Sequence, residues 1–354
     1  MFSCCFSTKK QSSKKVSFNL DKNIILYYNI NMKINVDNPM EAIQEKRPHL
    51  KDNTIKQYLI HLGKLKRLFD ADDFNFLNKP EDIKEKLKDN HYTSQRNTYN
   101  AIIVLLNAID SGDKLKDLIE KYSVVRDELN DKYSQAQSTG IISDKQKDNF
   151  VDIEEVKKMI DTMGNEIKAL NLKKKKDNLT SKEKALLQVY ILFNIYTRLP
   201  LRNDVAGMEA IMKRRYNKLS DDEKKSNNYL VVDKNNMFLV LNKYKTAKKY
   251  EELKIEIPAD LKKLLRYYLK VNGMGVLFKS STGKALTRNA LSQLLIKTTK
   301  KYMGKSIGST MLRKIYLSSK YGDMKEELEK DNKIMGHSKE VALNTYVKKV
   351  DNSE

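Results

Sequence analysis

The chain has no tryptophan, five prolines and twelve glycines in 354 residues, and its only cysteines are Cys4 and Cys5. Adjacent cysteines are poorly placed to bridge each other and no third exists. A disulfide scaffold is therefore excluded and a reducing compartment is expected. The four histidines, His49, His61, His91 and His337, have no zinc-ligand spacing, so neither a metal nor a cofactor is expected. No apolar run is long enough to span a bilayer. The N-terminal stretch MFSCCFSTKKQSSKKVSF lacks the apolar centre of a signal peptide, and Phe2 argues against N-myristoylation. No membrane partner is expected.

One further absence is local. Residues 261–322 contain no Asp or Glu, yet hold fourteen Lys and Arg. A solvated helix face usually mixes both signs, so a one-signed run of this length answers to a polyanion. The whole chain carries +22, and residues 151–354 supply +18 of it, with 43 Lys+Arg against 25 Asp+Glu. Such a balance is the bulk signature of nucleic-acid binding.

The pattern along the chain is mainly helical. Residues 1–44 read as a basic polar arm, disordered in part, with one apolar patch, NIILYYNINMKI. Residues 45–135 form a helical domain. Thr54 is placed to cap a helix carrying Ile55, Tyr58, Leu59, Leu62, Leu65 and Phe69, and further helices are expected over 93–109 and 115–133. Residues 136–150 are a polar linker. A second domain, 151–354, opens with helices over 151–167 and 181–197. Its period then changes. Short apolar runs at 229–232 and 237–242 flank the turn DKNN, and 253–257 alternates like an edge strand until Pro258 stops it. A three-stranded antiparallel unit is therefore expected inside a helical domain, an α+β fold. Helices follow over 261–271, 287–301, 308–321, 324–335 and 339–347.

Five residues stand out, in the order Arg202 (TRLPLRNDVAGM), Lys245 (NKYKTAKKY), Arg313 (TMLRKIYLSS), His337 and Tyr346 (MGHSKEVALNTYVKK). Together they suit phosphodiester chemistry. Attack on phosphorus loads charge onto the nonbridging oxygens, and fixed donors there lower the barrier. Arginine binds phosphate bidentately and stays charged. A lysine or histidine can give the leaving 5′-oxygen a proton. A tyrosine nucleophile keeps the bond energy as a phosphotyrosine, so a strand can be rejoined without ATP. Arg198 rivals Arg202, and Lys243, Lys248 and Lys249 rival Lys245.

This order, with a hairpin between the first two arginines and nine residues from His337 to Tyr346, resembles the tyrosine recombinase (phage integrase) family. The resemblance covers about 181–348, with 45–135 similar to the family's core-binding domain in helix pattern alone. It implies catalytic roles for Arg202, Lys245, Arg313, His337 and Tyr346, with Lys245 on the family's lysine-bearing hairpin. It further implies double-stranded DNA as partner, self-association on DNA as dimer or tetramer, and a cytoplasmic or nuclear place wherever the target DNA is, in a virus or mobile element. Two departures are plain. The acidic residue three positions after the first arginine is Val205, with Asp204 one earlier, and the family's histidine before the second arginine is Thr310. A hydroxyl can bond phosphate without carrying charge, which makes Thr310 a secondary site residue. Viral type IB topoisomerases share that lack of histidine, so a topoisomerase-like enzyme is one alternative and a DNA-binding protein with a decayed site another.

Overall fold

The computed structural model describes residues 33–335 apart from Asn35, Ser111, Ile141, Lys176 and Asp177, together with Leu343. His337, Tyr346, Cys4, Cys5 and the expected helix 339–347 lie outside the described residues. The chain divides into two compact units, Met1–Ile141 and Ile142–Glu354.

The first unit is helical: α1 (Pro39–Lys46), α2 (Asp52–Leu68), α3 (Pro80–Leu87), α4 (Tyr92–Ile109) and α5 (Lys116–Ser138). Helix α1 is set by Asn38, whose side chain accepts from the Glu41 amide ahead of Pro39 in the first turn. It begins inside the stretch that the sequence reads as an arm. Helix α2 starts earlier than expected, at Asp52, with Lys51 at the cap and no side-chain cap bond. Thr54 is therefore inside the first turn rather than capping it, because the Leu50–Lys51 backbone already turns the chain into the helix. The unit's core is the apolar run of α4, from Thr98 to Leu106, enclosed by α1, α2 and α5. Tyr122 of α5 is wholly buried there, and its hydroxyl donates to the Leu77 carbonyl at 2.7 Å.

The second unit is built on α7 (Ser181–Tyr196). It opens with a capping box, in which Thr180 and Glu183 satisfy each other's backbone amides. Leu187, Ile191, Leu192, Phe193, Ile195 and Tyr196 are all at most 1% exposed, so α7 is apolar around most of its circumference. Each such side chain contributes roughly 1.5–3 kcal/mol by burial. Around α7 pack α6 (Ile153–Ala169), α8 (Ala259–Asn272), α9 (Arg288–Met303) and α10 (Ser309–Met335).

The sheet departs from expectation. It has five strands, not three, and it is mixed, not antiparallel. The strands are β1 (Glu209–Met212), β2 (Tyr229–Val232), β3 (Met237–Leu241), β4 (Leu253–Glu256) and β5 (Gly275–Val276), in the spatial order β4-β3-β2-β1-β5. The expected antiparallel unit is the β2-β3-β4 part, with Leu230 opposite Leu239 and Leu239 opposite Ile255. β1 runs parallel to β2, joined by a crossover holding two short helical turns, Lys213–Tyr216 and Asp221–Ser226. β5 has only two residues, and β1 is a four-residue stretch without alternation, so neither had a periodic signal to read.

Helix α10 is also longer than expected. The two helices anticipated over 308–321 and 324–335 are one, passing through Gly322, where a Cβ would meet open space. A single glycine costs a helix about 1 kcal/mol, and no proline or cap at that point adds to it. The start of α10 is fixed by Gly304, which ends α9 in the left-handed region at φ 68°, and by Thr299. The Thr299 hydroxyl, fully buried, accepts from the Ile307 amide at 2.9 Å. Among the described residues no helix is long and apolar enough to cross a membrane.

Candidate active site

Helix α7 delivers the first arginine. Beyond Tyr196 the chain turns through Pro200 and the buried Leu201, then presents Arg202 to solvent. The turn is held from below by Tyr196, whose hydroxyl lies 3.3 Å from the Arg202 carbonyl and 3.1 Å from Asn203 Oδ1. Burial, reinforced by Asp204 and opposed by the Arg313 charge, pushes the Tyr196 phenol well above its ordinary pKa. Buried at 1% exposure with its hydroxyl engaged by the turn, it braces the arginine rather than facing a substrate. Asn203 donates to the Arg288 carbonyl at 3.0 Å, which ties the turn to the start of α9.

Helix α10 delivers the second arginine. Leu312 and Ile315, each 1% exposed, anchor its first turns in the core and leave Arg313 half-buried on the neighbouring face. Thr310 lies one turn earlier on the same face, and its hydroxyl accepts from Arg313 Nη2 at 3.3 Å. The pKa of Arg313 is lowered first by burial and then by the charge of Arg202, with Tyr196 and Asp204 acting in the opposite sense. The two arginines are thus brought together as electrostatic neighbours from positions 111 residues apart in sequence.

Neither arginine has a carboxylate partner among the described residues. The nearby acid, Asp204, is 6% exposed, and its Oδ1 is bound by Arg288 Nη2 at 2.7 Å. Arg202 makes no side-chain hydrogen bond or ion pair among the described residues. The rival Arg198 is fully engaged: its Nε and Nη2 bind Asp260 Oδ2 at 2.7 and 2.6 Å, and its Nη1 binds Asn194 Oδ1 at 2.8 Å. Two guanidinium groups within electrostatic reach of each other, neither with a carboxylate partner among the described residues, can take a singly charged tetrahedral oxyanion. Each can cover one nonbridging oxygen.

Lys245 lies in the loop after β3, exposed and bonded to nothing among the described residues. Of that loop, the part held against the Arg202 turn is Lys243, through its backbone. Lys248 and Lys249 fall in the one-turn helix Ala247–Tyr250, and Lys249 sits over the Tyr250 ring at 5.2 Å. The structure therefore brings Arg202, Arg313 and Thr310 together, places Lys245 on a loop tied to the same turn, and leaves His337 and Tyr346 outside the described residues. Sequence reasoning missed Tyr196, Asn203, Arg288 and Asn228, whose side-chain amide donates to the Asp204 and Lys243 carbonyls. Arg288 lay inside the acid-free run but was indistinguishable there from its neighbours. The other three work through bonds to a folded turn and carry no sequence signal. Among the described residues no cluster of three His, Cys, Asp or Glu could hold a metal.

No family model matches the chain, and no curated protein matches it. Among solved structures it is similar to a crystal structure of XerA recombinase, at a TM-score of 0.32 and 11% identity, over 94% of this chain and 95% of that one. That makes XerA recombinase a weak structural neighbour, and no residue is carried across from it.

Proposed function

We propose that this chain is a DNA strand-exchange enzyme of the tyrosine recombinase type, acting on duplex DNA through a 3′-phosphotyrosyl intermediate. The observation that supports it most is the Arg202–Arg313 pair, two neighbouring cations whose one nearby acid among the described residues, Asp204, is neutralised by a third arginine. Leaving two like charges unpaired costs stability, and a site that receives a phosphate offsets that cost when it is filled.

In this reading the Tyr346 oxygen attacks phosphorus in line and forms a new O–P bond. The P–O5′ bond breaks, its electron pair leaves on O5′, and the Lys245 ammonium supplies the proton that O5′ needs. The phenol proton passes to the His337 imidazole or to solvent. Arg202 and Arg313 hold the two nonbridging oxygens while charge builds on them, and Thr310 keeps the Arg313 fork aimed. Rejoining is the reverse step with a 5′-hydroxyl as nucleophile. The long basic surface of residues 261–322 binds the DNA backbone, the helical segment 45–135 contributes to the grip, and copies of the chain associate on DNA.

The test is covalent trapping on a nicked suicide duplex, read as a protein–DNA adduct resistant to denaturant. A binder with a decayed site gives none. Resolution of a synthetic Holliday junction then separates a recombinase from a topoisomerase-like enzyme, for which Thr310 is the favouring feature. Relaxation of supercoils without junction resolution would overturn the recombinase reading.

A further inference from the structure

Two ties join the turn that carries Arg202 to the loop that carries Lys245, and both end on the same two residues, Asp204 and Lys243. The first is Asn228, in the residue before β2, 4% exposed. Its Nδ2 donates to the Asp204 carbonyl at 2.8 Å and to the Lys243 carbonyl at 3.1 Å. Its Oδ1 accepts from the Asn242 amide at 2.9 Å and from the Lys243 amide at 2.7 Å. Both donors and both acceptor sites of the carboxamide are used. The second tie is Arg288, the first residue of α9, whose Nη2 reaches Asp204 Oδ1 at 2.7 Å and the Lys243 carbonyl at 3.3 Å.

No other side chain of similar size fits the first position. An aspartate would aim an oxygen at two carbonyls that now receive N–H groups. An alanine would leave the Asp204 carbonyl and the Asn242 and Lys243 amides without these partners, and the Lys243 carbonyl with Arg288 alone. Neither residue offers the Arg202–Arg313 pair a further free cation. The Asn228 amide is consumed, and Arg288 is spent on Asp204. Their common effect is geometric: they fix the base of the Lys245 loop against the turn of the first arginine.

Resting on the function proposed above, we infer that Asn228 and Arg288 are positioning residues for proton delivery, holding the Lys245 loop so that its ammonium meets the leaving 5′-oxygen. The loop itself gives little help, since Lys245 is exposed and unbonded among the described residues. Without the ties its ammonium would spend little time at the reacting atom, and orientation of this kind controls rate more than affinity.

A sulfur-for-oxygen substitution at the leaving atom separates this role from a structural one. A thiolate leaves without a proton, so a mispositioned donor does not slow it. Single-turnover cleavage is measured for the wild type, Asn228→Asp and Arg288→Lys on two suicide duplexes, one with the ordinary 5′-oxygen and one with a bridging 5′-sulfur. Arg288→Lys keeps a cation for Asp204, but a single ammonium cannot span Asp204 and the Lys243 carbonyl as the fork does. The expected result is a loss of about 10- to 100-fold on the oxygen duplex, a part of the roughly 100- to 10,000-fold that a well-placed general acid supplies, near wild-type rates on the sulfur duplex, and unchanged DNA affinity. Equal losses on both duplexes would overturn the inference and make the ties purely structural, as would no loss on either. If Asn228→Asp does not fold, Arg288→Lys, at a largely exposed side chain, decides the matter alone. A wild type that forms no adduct on either duplex overturns the proposed function itself, and this inference with it.

Discussion

Arg202 and Arg313 stand near enough for the charge of the first to lower the pKa of the second, and neither has a carboxylate partner among the described residues. Like charges are brought together in a fold at a cost unless something neutralises them, and the fold has spent its nearby acid, Asp204, on Arg288. Among the described residues no other acid balances the pair, which leaves it open to an anion such as a phosphate.

Arg202→Ala and Arg313→Ala should each raise the cleavage barrier by about 2–4 kcal/mol, the range for losing one preorganised oxyanion donor. DNA affinity should fall far less if, as proposed, the basic surface makes most of the phosphate contacts. Arg198→Ala is the control. It breaks the partly exposed ion pair with Asp260 and the bond to the buried Asn194 Oδ1, and should cost about 1–3 kcal/mol of stability, with no selective effect on cleavage. Cleavage and binding measured on the same duplexes decide it, and equal losses in both for Arg202→Ala would make that arginine an ordinary backbone contact.

Tyr346→Phe removes one hydroxyl. The variant should bind DNA like the wild type and give no covalent adduct on the suicide duplex. An adduct from Tyr346→Phe would exclude Tyr346 as nucleophile and turn attention to Tyr316 and Tyr321 of α10.

Thr310→Val keeps the shape of the side chain and removes the acceptor that Arg313 Nη2 meets at 3.3 Å. Cleavage should slow modestly, in keeping with about 1 kcal/mol for a neutral acceptor, with the fold intact by circular dichroism. Thr310→His should be tolerated, with its greatest benefit below pH 7, where imidazole gains a proton. Superimposable rate profiles for the three proteins from pH 6 to 8 would show that position 310 does not act on the phosphate.

Glu183 provides a test of the scaffold. Its carboxylate accepts from the Lys175 ammonium and from the Thr180 amide and hydroxyl, and these bonds, led by Lys175, hold its pKa at about 2. The unfolded value is about 4.3. The folded state therefore favours the ionised form, so the contribution is fully present above about pH 4.3 and is lost as pH falls toward 2. Glu183→Gln should have a thermal midpoint that depends less on pH than that of the wild type between pH 2 and 5. Parallel curves for the two proteins would show that the capping box does not titrate with folding.

The helices of both units were legible because their apolar residues recur at helical spacing, as in Leu62 and Leu65 of α2 or Val156, Met159, Ile160 and Met163 of α6. The β2–β3 hairpin was legible because two apolar runs flank a polar turn. The sheet's other half was not. β1 gains its place by running parallel to β2 across a crossover, and β5 is two residues long, so both exist through pairing rather than through any pattern of their own. Gly322 shows the converse: a local break signal too weak to interrupt a helix whose first turns are anchored in the core.

The sequence by itself determined the chemistry on offer: a one-signed basic run, two arginines, a lysine loop and a late histidine and tyrosine in an order suited to phosphodiester transfer. Those are properties of residue type and spacing, which survive without coordinates. Only the tertiary structure decided which arginine is paired with a carboxylate and which has none among the described residues. Arg198 and Arg202 are four residues apart and look alike in sequence, yet Asp260, from the start of α8, neutralises the first, while Arg288 draws Asp204 away from the second. Charge compensation depends on distance in space, falling off over a few ångströms, and the partners that set it lie 62 and 84 residues away along the chain.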